Sequence, residues 1–368
     1  MNFSKYTPSY LIEDCRRPET GLYLAPNWTI KVDGGFMSLF HESVGVISVD
    51  CEDPTSTIIE CIAKGGATVA DAMTLAESQW LSILLSLWQK GVVRLDDGGI
   101  HTQFLKSATP SRYIWFEEYL RTYAGPSKKL EQMLKALADA KVCVIGLGGL
   151  GATLSLSLAA SGVGRLRLVD GDVIEESNLP RQILYSETSI GQKKVSVLRN
   201  AILANNSATR VDTVDEFVAS QDEAHHAVED CDFVILCADE PRLAIRNWVG
   251  KACFENKIPS IAMAGQWIGP ITVPGESPCH ACVGRFHGSR ISDAAGFLRS
   301  TAEASSVRAS FGPRPLILAG FMSSAVIHYL TGIDRETLLN RRFQVDIAGH
   351  VQEEHLVRYR NCIVCGGG

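Results

Sequence analysis

From Lys141 onward, short runs of β-branched and other apolar residues alternate with segments long enough to form helices. The runs are KVCVIG, RLRLVD, RVDTVDEFV, DFVILCAD and PSIAMAG. Strands that alternate with helices in this way are typical of a mostly parallel sheet with helices on both faces. The pattern therefore predicts an α/β domain with a Rossmann-like sheet in the second part of the chain.

The first hundred residues follow a different pattern. TGLYLAPNWTIKV and SVGVISVD have the apolar spacing of strands, and Gly34-Gly35 predicts a turn between strands. Three helical segments and a short strand follow, with apolar faces marked by Ile58, Ile59, Ile62, Leu81, Leu84, Leu85 and Leu87. This order predicts a small winged-helix-type α+β module over residues 1–108. A polar linker from Asp96 to Arg112 leads into a second domain over residues 109–368.

The net charge of the chain limits the kinds of molecule that it can bind. The chain has a formal net charge of −6, and residues 1–108 contain eight Lys and Arg against 13 Asp and Glu, a net of −5. Helix-turn-helix modules often bind DNA, but this sign is wrong for contact with a phosphate backbone. We therefore expect no nucleic-acid partner.

One long apolar stretch, PLILAGFMSSAVIHYLTG from Pro315, is interrupted by Ser323, Ser324 and His328. These polar residues favour a buried helix over a membrane span. The start of the sequence shows no charged and then apolar leader, so we expect a cytoplasmic protein. In a reducing compartment the 11 cysteines are thiols or metal ligands.

A glycine turn follows the first predicted strand of the α/β domain. Gly146, Gly148 and Gly151 satisfy G-x-G-x-x-G between a strand and a helix, where the helix N-terminus offers free amides to a nucleotide. Asp170 comes 24 residues after Gly146, at the end of the second strand, and is placed to accept hydrogen bonds from a ribose. NAD and ATP both contain an adenosine ribose, so this motif alone allows either.

The segment after Asp170, GDVIEESNLPRQILYSETSIGQKK, distinguishes the two nucleotides. It contains acidic, amide and cationic candidates: Asp172, Asn178, Arg181, Gln182 and Lys194. Cations neutralise charge that develops at phosphorus, so the segment suits a triphosphate better than a hydride carrier. Asp239 ends a later strand, where it is a candidate ligand of Mg²⁺.

Two cysteine pairs lie about 80 residues apart. They are Cys279-x-x-Cys282 and Cys362-x-x-Cys365. Four thiolates at this spacing are typical of a closed, tetrahedral, structural zinc site. We expect the zinc ion to join the C-terminal segment to the rest of the domain and to stabilise the fold.

The motifs GLGGLG, LVDGDVIEESNLPRQ, IGQKK and CAD resemble those of the E1-like adenylating enzymes, which include the ThiF and MoeB sulfur-carrier activators and the ubiquitin-activating enzymes. The similarity extends from Arg112 to Cys365. It implies an E1-type adenylation domain in which Asp170 contacts ribose, Arg181 and Lys194 contact phosphates and Asp239 holds Mg²⁺. The implied reaction is attack by a carboxylate on the α-phosphate of ATP.

The resemblance also implies a homodimer, in which an arginine of an RYxRQ motif reaches the neighbouring active site. The corresponding stretch here is RYIWF, which retains Arg112 but has Trp115 at the position of the second arginine. Arg121 is a further candidate for this contact. The sequence does not decide whether Arg112 or Arg121 acts within or across subunits.

Family members that pass the acyl group to sulfur have a cysteine after the first zinc pair, and residues 283–316 contain none. The chain is most similar to members that modify ribosomal peptides, as in microcin C and pantocin A biosynthesis. This implies that the N-terminal module binds the leader of a precursor peptide by adding it to a sheet edge. We expect adenylation of a peptide carboxyl, that of a side chain in preference to the terminus, followed by dehydration and cyclisation without an enzyme thioester.

Other functions stay open at this point. One is microcin C-type nucleotidyl transfer to a peptide terminus, and another is activation of a sulfur carrier or ubiquitin-like protein. An NAD oxidoreductase would leave SNLPRQ and the four cysteines unexplained. A non-catalytic peptide-binding protein would catalyse no exchange between ATP and pyrophosphate.

Overall fold

The computed structural model describes residues 17–366, except 26–27, 42–44, 66, 97–111, 125–126, 242, 291, 294–309, 334, 336–338 and 347. The chain divides into two compact units, Met1–Gln132 and Met133–Gly368. The domain boundary predicted after residue 108, and nearly all of the predicted linker, lie outside the described residues.

The first unit combines short strands with helices. Its strands are β1 (Gly21–Leu24), β2 (Trp28–Asp33), β3 (Phe36–His41), β4 (Gly45–Asp50), β5 (Ala67–Thr68) and β6 (Val93–Asp96). Its helices are α1 (Pro54–Lys64), α2 (Val69–Ala76), α3 (Trp80–Gln89) and α4 (Ile114–Ala124), and α5 (Ser127–Asp139) crosses the boundary between the units. Among the described residues of this unit the strands form two antiparallel sheets, β5-β1-β6 and β2-β3-β4, and its assignment as a winged-helix-type module stays a prediction.

Local sequence signals fix the ends of the helices in this unit. Asp53 caps α1, because its side chain accepts a hydrogen bond of 2.7 Å from the backbone nitrogen of Thr55. Thr68 and Asp71 form a reciprocal capping box at the start of α2. The apolar face predicted for α1 is confirmed, since Ile58, Ile59 and Ile62 are buried in the core.

The second unit contains a large mixed sheet. Its strands are β7 (Lys141–Ile145), β8 (Arg165–Val169), β9 (Arg210–Val214), β10 (Phe233–Leu236), β11 (Ser260–Ala264), β12 (Trp267–Thr272), β13 (Arg341–Val345) and β14 (Val351–His355). Among the described residues they are ordered β14-β13-β12-β11-β10-β7-β8-β9. The five strands predicted from the sequence, β7 to β11, are parallel to one another, and β12 to β14 add an antiparallel extension beside β11. The predicted α/β fold class is confirmed.

Helices cover the sheet of the second unit. They are α6 (Gly149–Ala160), α7 (Lys194–Asn205), α8 (Gln221–Val228), α9 (Ala244–Glu255), α10 (His280–Gly288) and α11 (Pro313–Thr331). One hydrophobic cluster joins α8 and α9 to inward side chains of β7 and β10, while α6 packs against α7 and α11. No helix within the described ranges is long and apolar enough to cross a membrane.

The order of the parallel strands determines where a ligand can bind. The chain runs from β7 outward through β8 to β9 and then returns to β10 on the other side of β7. In open α/β sheets, ligands bind outside the carboxyl ends of the strands at the point where the strand order reverses. That point lies between β7 and β10, where the chain continues into Gly146 and Cys237.

Candidate active site

A cavity of about 860 Å³ opens at the carboxyl ends of β7 and β10, within the second unit. This volume is typical of sites for small molecules, which range from about 300 to 1,000 Å³. The structure brings ten predicted site residues together in its lining: Gly146, Gly148, Gly151, Asp170, Asp172, Asn178, Arg181, Gln182, Lys194 and Asp239.

The other predicted cations lie in the first unit. Arg112 is exposed just before α4, with its guanidinium carbon 5.9 Å from the ring centroid of Tyr113. Arg121 belongs to α4, and its side chain lies outside what the structure describes. Their contribution to an active site stays a prediction.

The three glycines of the motif are glycine for different physical reasons. Gly146 has a φ of +92°, and a Cβ there would lie 2.4 Å from the backbone nitrogen of Ala238. A Cβ on Gly151 would lie 1.9 Å from the carbonyl oxygen of Gly146, so both positions need glycine for packing. A Cβ on Gly148 would meet only Nε2 of Gln182, at 3.8 Å. Gly148 caps α6 without a side-chain hydrogen bond, which leaves backbone amides of the first turn beside the cavity.

Backbone amides orient the carboxylate of Asp170. Its Oδ2 accepts a hydrogen bond of 2.6 Å from the nitrogen of Leu147, and its Oδ1 accepts one of 2.8 Å from the nitrogen of Asp172. The hydroxyl of Tyr185 donates to the carbonyl oxygen of Leu147 at 2.8 Å. Burial and the nearby carboxylates of Asp170 and Asp172 raise the pKa of Tyr185, which therefore stays protonated as a donor. These hydrogen bonds hold the glycine turn and the acid together.

An aromatic ring covers the residue after this acid. A Cβ on Gly171 would lie 2.7 Å from the ring of Phe217, so only glycine allows the ring to take this position. Phe217 lines the cavity and is 62% exposed. Sequence analysis did not identify Phe217, because a lone phenylalanine after a strand carries no motif.

Hydrogen bonds position the side chains that are predicted to bind phosphates. Nζ of Lys194 donates a hydrogen bond of 2.6 Å to Oδ2 of Asp172, and a guanidinium nitrogen of Arg181 donates one of 2.7 Å to the carbonyl oxygen of Ser177. Asn178 is buried, and its Oδ1 accepts a hydrogen bond of 3.2 Å from the nitrogen of Glu175. Gln182 is also buried, and its Oε1 has no hydrogen-bond partner among the described residues. This free acceptor lies at the cavity wall.

Sequence analysis missed further residues of the lining. Arg246 lies seven residues after Asp239 in α9, and its guanidinium donates to the carbonyl oxygen of Met263 at 3.1 Å. Arg314 lies in the first turn of α11, far from the glycine turn in sequence, and only tertiary structure brings it to the cavity. Cys237 also lines the cavity, and burial raises the pKa of its thiol to about 12.

The four predicted metal ligands form a second site. The Sγ atoms of Cys279 and Cys282 are 3.9 Å apart, and all four Sγ atoms lie within 4.8 Å of one another. Cys362 is 3.5 Å from Cys279, and Cys365 is 3.4 Å from Cys282. A disulfide would need about 2.05 Å. Four thiolates around zinc, each about 2.3 Å from the metal, would be separated by about 3.8 Å. The cluster therefore fits a tetrahedral metal ion.

Comparison with known proteins places the chain in a family. The model of the ThiF family matches residues 119–363, which is most of the chain. The chain belongs to the ThiF family. The predicted membership of the E1-like adenylating enzymes is thereby confirmed.

Curated relatives in this family are similar in sequence over part of the chain. The molybdopterin-synthase adenylyltransferase of Escherichia coli is 37% identical over 161 residues, which cover 42% of this chain and 62% of that protein. The heterocyst protein HesA of Trichormus variabilis is 30% identical over 240 residues, which cover 64% of this chain and 84% of HesA. The alignment thus spans less than two thirds of the E. coli relative.

Solved structures are similar over nearly the whole chain. E. coli MccB with ATP has a TM-score of 0.74 at 23% identity, with 94% of this chain and 99% of MccB covered. MccB with AMPCPP and MccA has a TM-score of 0.76 at the same identity, with coverage of 94% and 100%. PaaA has a TM-score of 0.63 at 21% identity, with coverage of 90% and 99%. The predicted fold resemblance to the peptide-modifying members is confirmed.

Proposed function

We propose that this chain is an ATP-dependent enzyme that adenylates a carboxyl group of a precursor peptide. The observation that carries this proposal is the cavity between β7 and β10, which combines a glycine turn, an oriented carboxylate and, within the described part of the chain, four basic side chains. Family membership and the adenylyltransferase names of the curated relatives support it.

The adenosine moiety is assigned to the end of β8. Asp170 keeps lone pairs on both oxygens for ribose hydroxyls after it has accepted its two amide hydrogen bonds. The exposed ring of Phe217 above Gly171 offers a flat apolar surface to the adenine base. The phosphates then extend along the free amides at the start of α6, where a helix N-terminus favours anions.

The phosphates are assigned to Arg181 and Lys194, with Asn178 and Gln182 supplying polar groups at the same wall. Asp239 lies at the end of β10 beside Glu240, and carboxylates next to phosphate oxygens are the usual environment of Mg²⁺. A bound Mg²⁺ would neutralise part of the phosphate charge.

The proposed reaction is a substitution at phosphorus. A carboxylate oxygen of the peptide attacks the α-phosphorus, the bond to the β-phosphate oxygen breaks, and pyrophosphate leaves with that electron pair. Guanidinium and ammonium groups lower the barrier by stabilising the charge that builds on the phosphate oxygens. A nucleophile of the same peptide then attacks the acyl carbon, and AMP leaves with the carboxyl oxygen. Ring closure by this route removes one water from the peptide.

Two observations support a route without an enzyme thioester. Residues 283–316 contain no cysteine. Cys237 does line the cavity, but burial raises the pKa of its thiol to about 12, so the thiol is protonated at neutral pH. Thiolates, not thiols, act as nucleophiles, so Cys237 is unsuited to accept the acyl group.

Recognition of the leader peptide is assigned to the edge of β4 in the first unit. Cys51 donates to the carbonyl oxygen of Gly35, so alternation along the antiparallel pair leaves the N–H of Ser48 pointing away from β3. Ile47 and Val49 face the core but are only partly buried, whereas Met37 and Leu39 on β3 are fully buried. A peptide strand added beside β4 would gain backbone hydrogen bonds and cover this apolar surface.

Proline at position 48 tests this assignment. Ser48→Pro removes an outward N–H without breaking the bonds between β4 and β3, so leader binding should weaken at least tenfold while the fold is kept. Ser48→Ala is the matched control and should bind like the wild type. Equal leader affinity in both variants, measured by fluorescence anisotropy, would contradict the β4 edge as the binding site.

The four-cysteine site is proposed to hold zinc with a structural role, because four thiolates leave no open position for water. A homodimer is also proposed. On α11, Leu316, Ile317 and Phe321 are 39%, 49% and 39% exposed and form an apolar row of the kind that interfaces cover. Light scattering of the purified chain should give the mass of a dimer, and Phe321→Glu should give a monomer.

Isotope exchange and mass spectrometry test the whole proposal. With a precursor peptide encoded beside the gene, the enzyme should exchange labelled pyrophosphate into ATP, and the product should have lost about 18 Da per ring closed. The structural likeness to MccB, one structure of which is described as the microcin C7 biosynthetic enzyme with N-formylated MccA, favours a second candidate. In that case the product would retain the mass of a nucleotide. Absence of exchange with any peptide would refute both.

A further inference from the structure

Among the described residues, four basic side chains line the cavity: Arg181, Lys194, Arg246 and Arg314. Three of them have partners. Arg181 donates to Ser177, Lys194 to Asp172 and Arg246 to Met263. Within the described part of the chain, the guanidinium of Arg314 makes no hydrogen bond and no ion pair, although the residue is half-buried.

The backbone that carries Arg314 is packed tightly against the glycine turn. A Cβ on Gly149 would lie 3.0 Å from the ring of Pro315 and 2.3 Å from the carbonyl oxygen of Arg181. A Cβ on Gly312 would lie 3.2 Å from the carbonyl oxygen of Pro180. The start of α11, the start of α6 and the segment with Arg181 therefore meet at one place.

The charge balance of the cavity shows why a further cation is needed. Lys194 is already neutralised by Asp172, and the lining also contains Asp170, Asp239 and Glu240. A triphosphate brings several negative charges into this acidic surrounding. An uncommitted guanidinium can meet them without first breaking an existing hydrogen bond or ion pair.

We propose that Arg314 binds the terminal phosphates of ATP and the pyrophosphate that leaves. This role rests on the proposed function. The adenosine is assigned to Asp170 and Gly171 at the end of β8, whereas Arg314 adjoins Arg181 and the amide-rich start of α6. The neighbours of Arg314 are thus the groups assigned to phosphates. Its planar guanidinium can hold two oxygens at once and stabilise the charge that remains on pyrophosphate after the phosphorus–oxygen bond breaks.

Nucleotide affinity tests this role. ATP, ADP and AMP are titrated into the wild type and into Arg314→Ala, Arg314→Lys and Arg199→Ala. Arg314→Ala should weaken ATP binding about tenfold to a hundredfold, as expected for the loss of a charge-assisted hydrogen bond. AMP, which lacks the terminal phosphates, should bind within about twofold of the wild type. Arg314→Lys should recover part of the ATP affinity.

Arg199 is a matched control, because it is an exposed arginine on α7 that does not line the cavity. Replacement of Arg199 removes the same charge and should change neither the ATP affinity nor the AMP affinity. Since Arg314 has no partner to lose, thermal melting should show that Arg314→Ala folds like the wild type.

The experiment distinguishes failure of the role proposed for Arg314 from failure of the proposed function. Unchanged ATP affinity in Arg314→Ala would overturn the role, and a higher KM for the peptide with unchanged ATP affinity would instead assign Arg314 to the peptide. Equal losses for ATP and AMP would also overturn it. A wild-type chain that binds neither nucleotide would refute the proposed function itself and this role with it.

Discussion

Nζ of Lys194 lies 2.6 Å from Oδ2 of Asp172, and the two side chains are unequally exposed. The side chain of Lys194 is 6% exposed, whereas that of Asp172 is 50% exposed. The ammonium thus depends on its partner, while water can solvate the carboxylate alone. Because of this difference in exposure, we expect replacement of Lys194 to affect mainly catalysis and replacement of Asp172 to affect mainly stability.

The two single variants should therefore behave differently. Lys194→Ala should abolish pyrophosphate exchange with a melting temperature close to that of the wild type, because only a solvated carboxylate loses its partner. Asp172→Ala should lower the free energy of unfolding by about 1–3 kcal/mol, because a buried charge stays unpaired. Denaturant titration and the exchange assay measure both. Substantial exchange activity in Lys194→Ala would contradict its assignment to the phosphates.

The glycine turn gives a second pair of variants. Gly148→Ala adds a methyl group with no close neighbour, so the fold should persist while ATP affinity falls by roughly tenfold through contact with the nucleotide. Gly151→Ala places a Cβ 1.9 Å from the carbonyl oxygen of Gly146 and should destabilise the unit. Circular dichroism during heating separates the two outcomes. If Gly148→Ala bound ATP normally, the nucleotide would not lie over this turn.

The thiol of Cys237 gives a prediction about pH. Because burial raises its pKa to about 12, the thiolate forms only as the pH rises through that value. Between pH 6 and pH 9 we therefore expect no dependence of turnover on this group. Cys237→Ser should keep turnover within about threefold, since it replaces one small, neutral side chain with another. A covalent acyl adduct on Cys237, found by mass spectrometry of the enzyme during turnover, would refute the route without a thioester.

Metal content tests the cysteine cluster. The wild type should contain about one zinc ion per chain, and Cys362→Ser should lose it and melt at a lower temperature. Cys61→Ser, which changes a half-buried cysteine of the first unit, is the control and should retain the metal. Elemental analysis by mass spectrometry measures the zinc. Full zinc content in Cys362→Ser would show that this thiol is not a ligand.

Much of the second unit could be predicted because its signals are local. The runs that form β7 to β11 are continuous apolar segments, and the glycine turn and Asp170 lie at fixed distances along one strand-turn-helix-strand unit. The strands β12 to β14 lie outside the predicted runs, and the last of them, β14, is mainly polar and exposed. They were not predicted as part of the sheet.

The residues that the sequence did not reveal reach the cavity through long-range contacts. Phe217 is identified by the close approach of its ring to Gly171, and Arg314 by the packing of Pro315 against Gly149. Neither pair is close in the sequence, and no spacing rule relates their members. Exposure was also hard to predict, because the long apolar helix α11 was expected to be buried and yet leaves Ile317 49% exposed.

The cysteine cluster also affects the segment of chain that lies between its two cysteine pairs. Cys279 and Cys362 are 83 residues apart, so a bound ion would close a loop that includes α11 and therefore Arg314. Fastening both ends of a long loop reduces the freedom of everything between them. If zinc fills this site as proposed, its removal should therefore loosen α11 and the cavity wall that carries Arg314 more than it loosens the glycine turn.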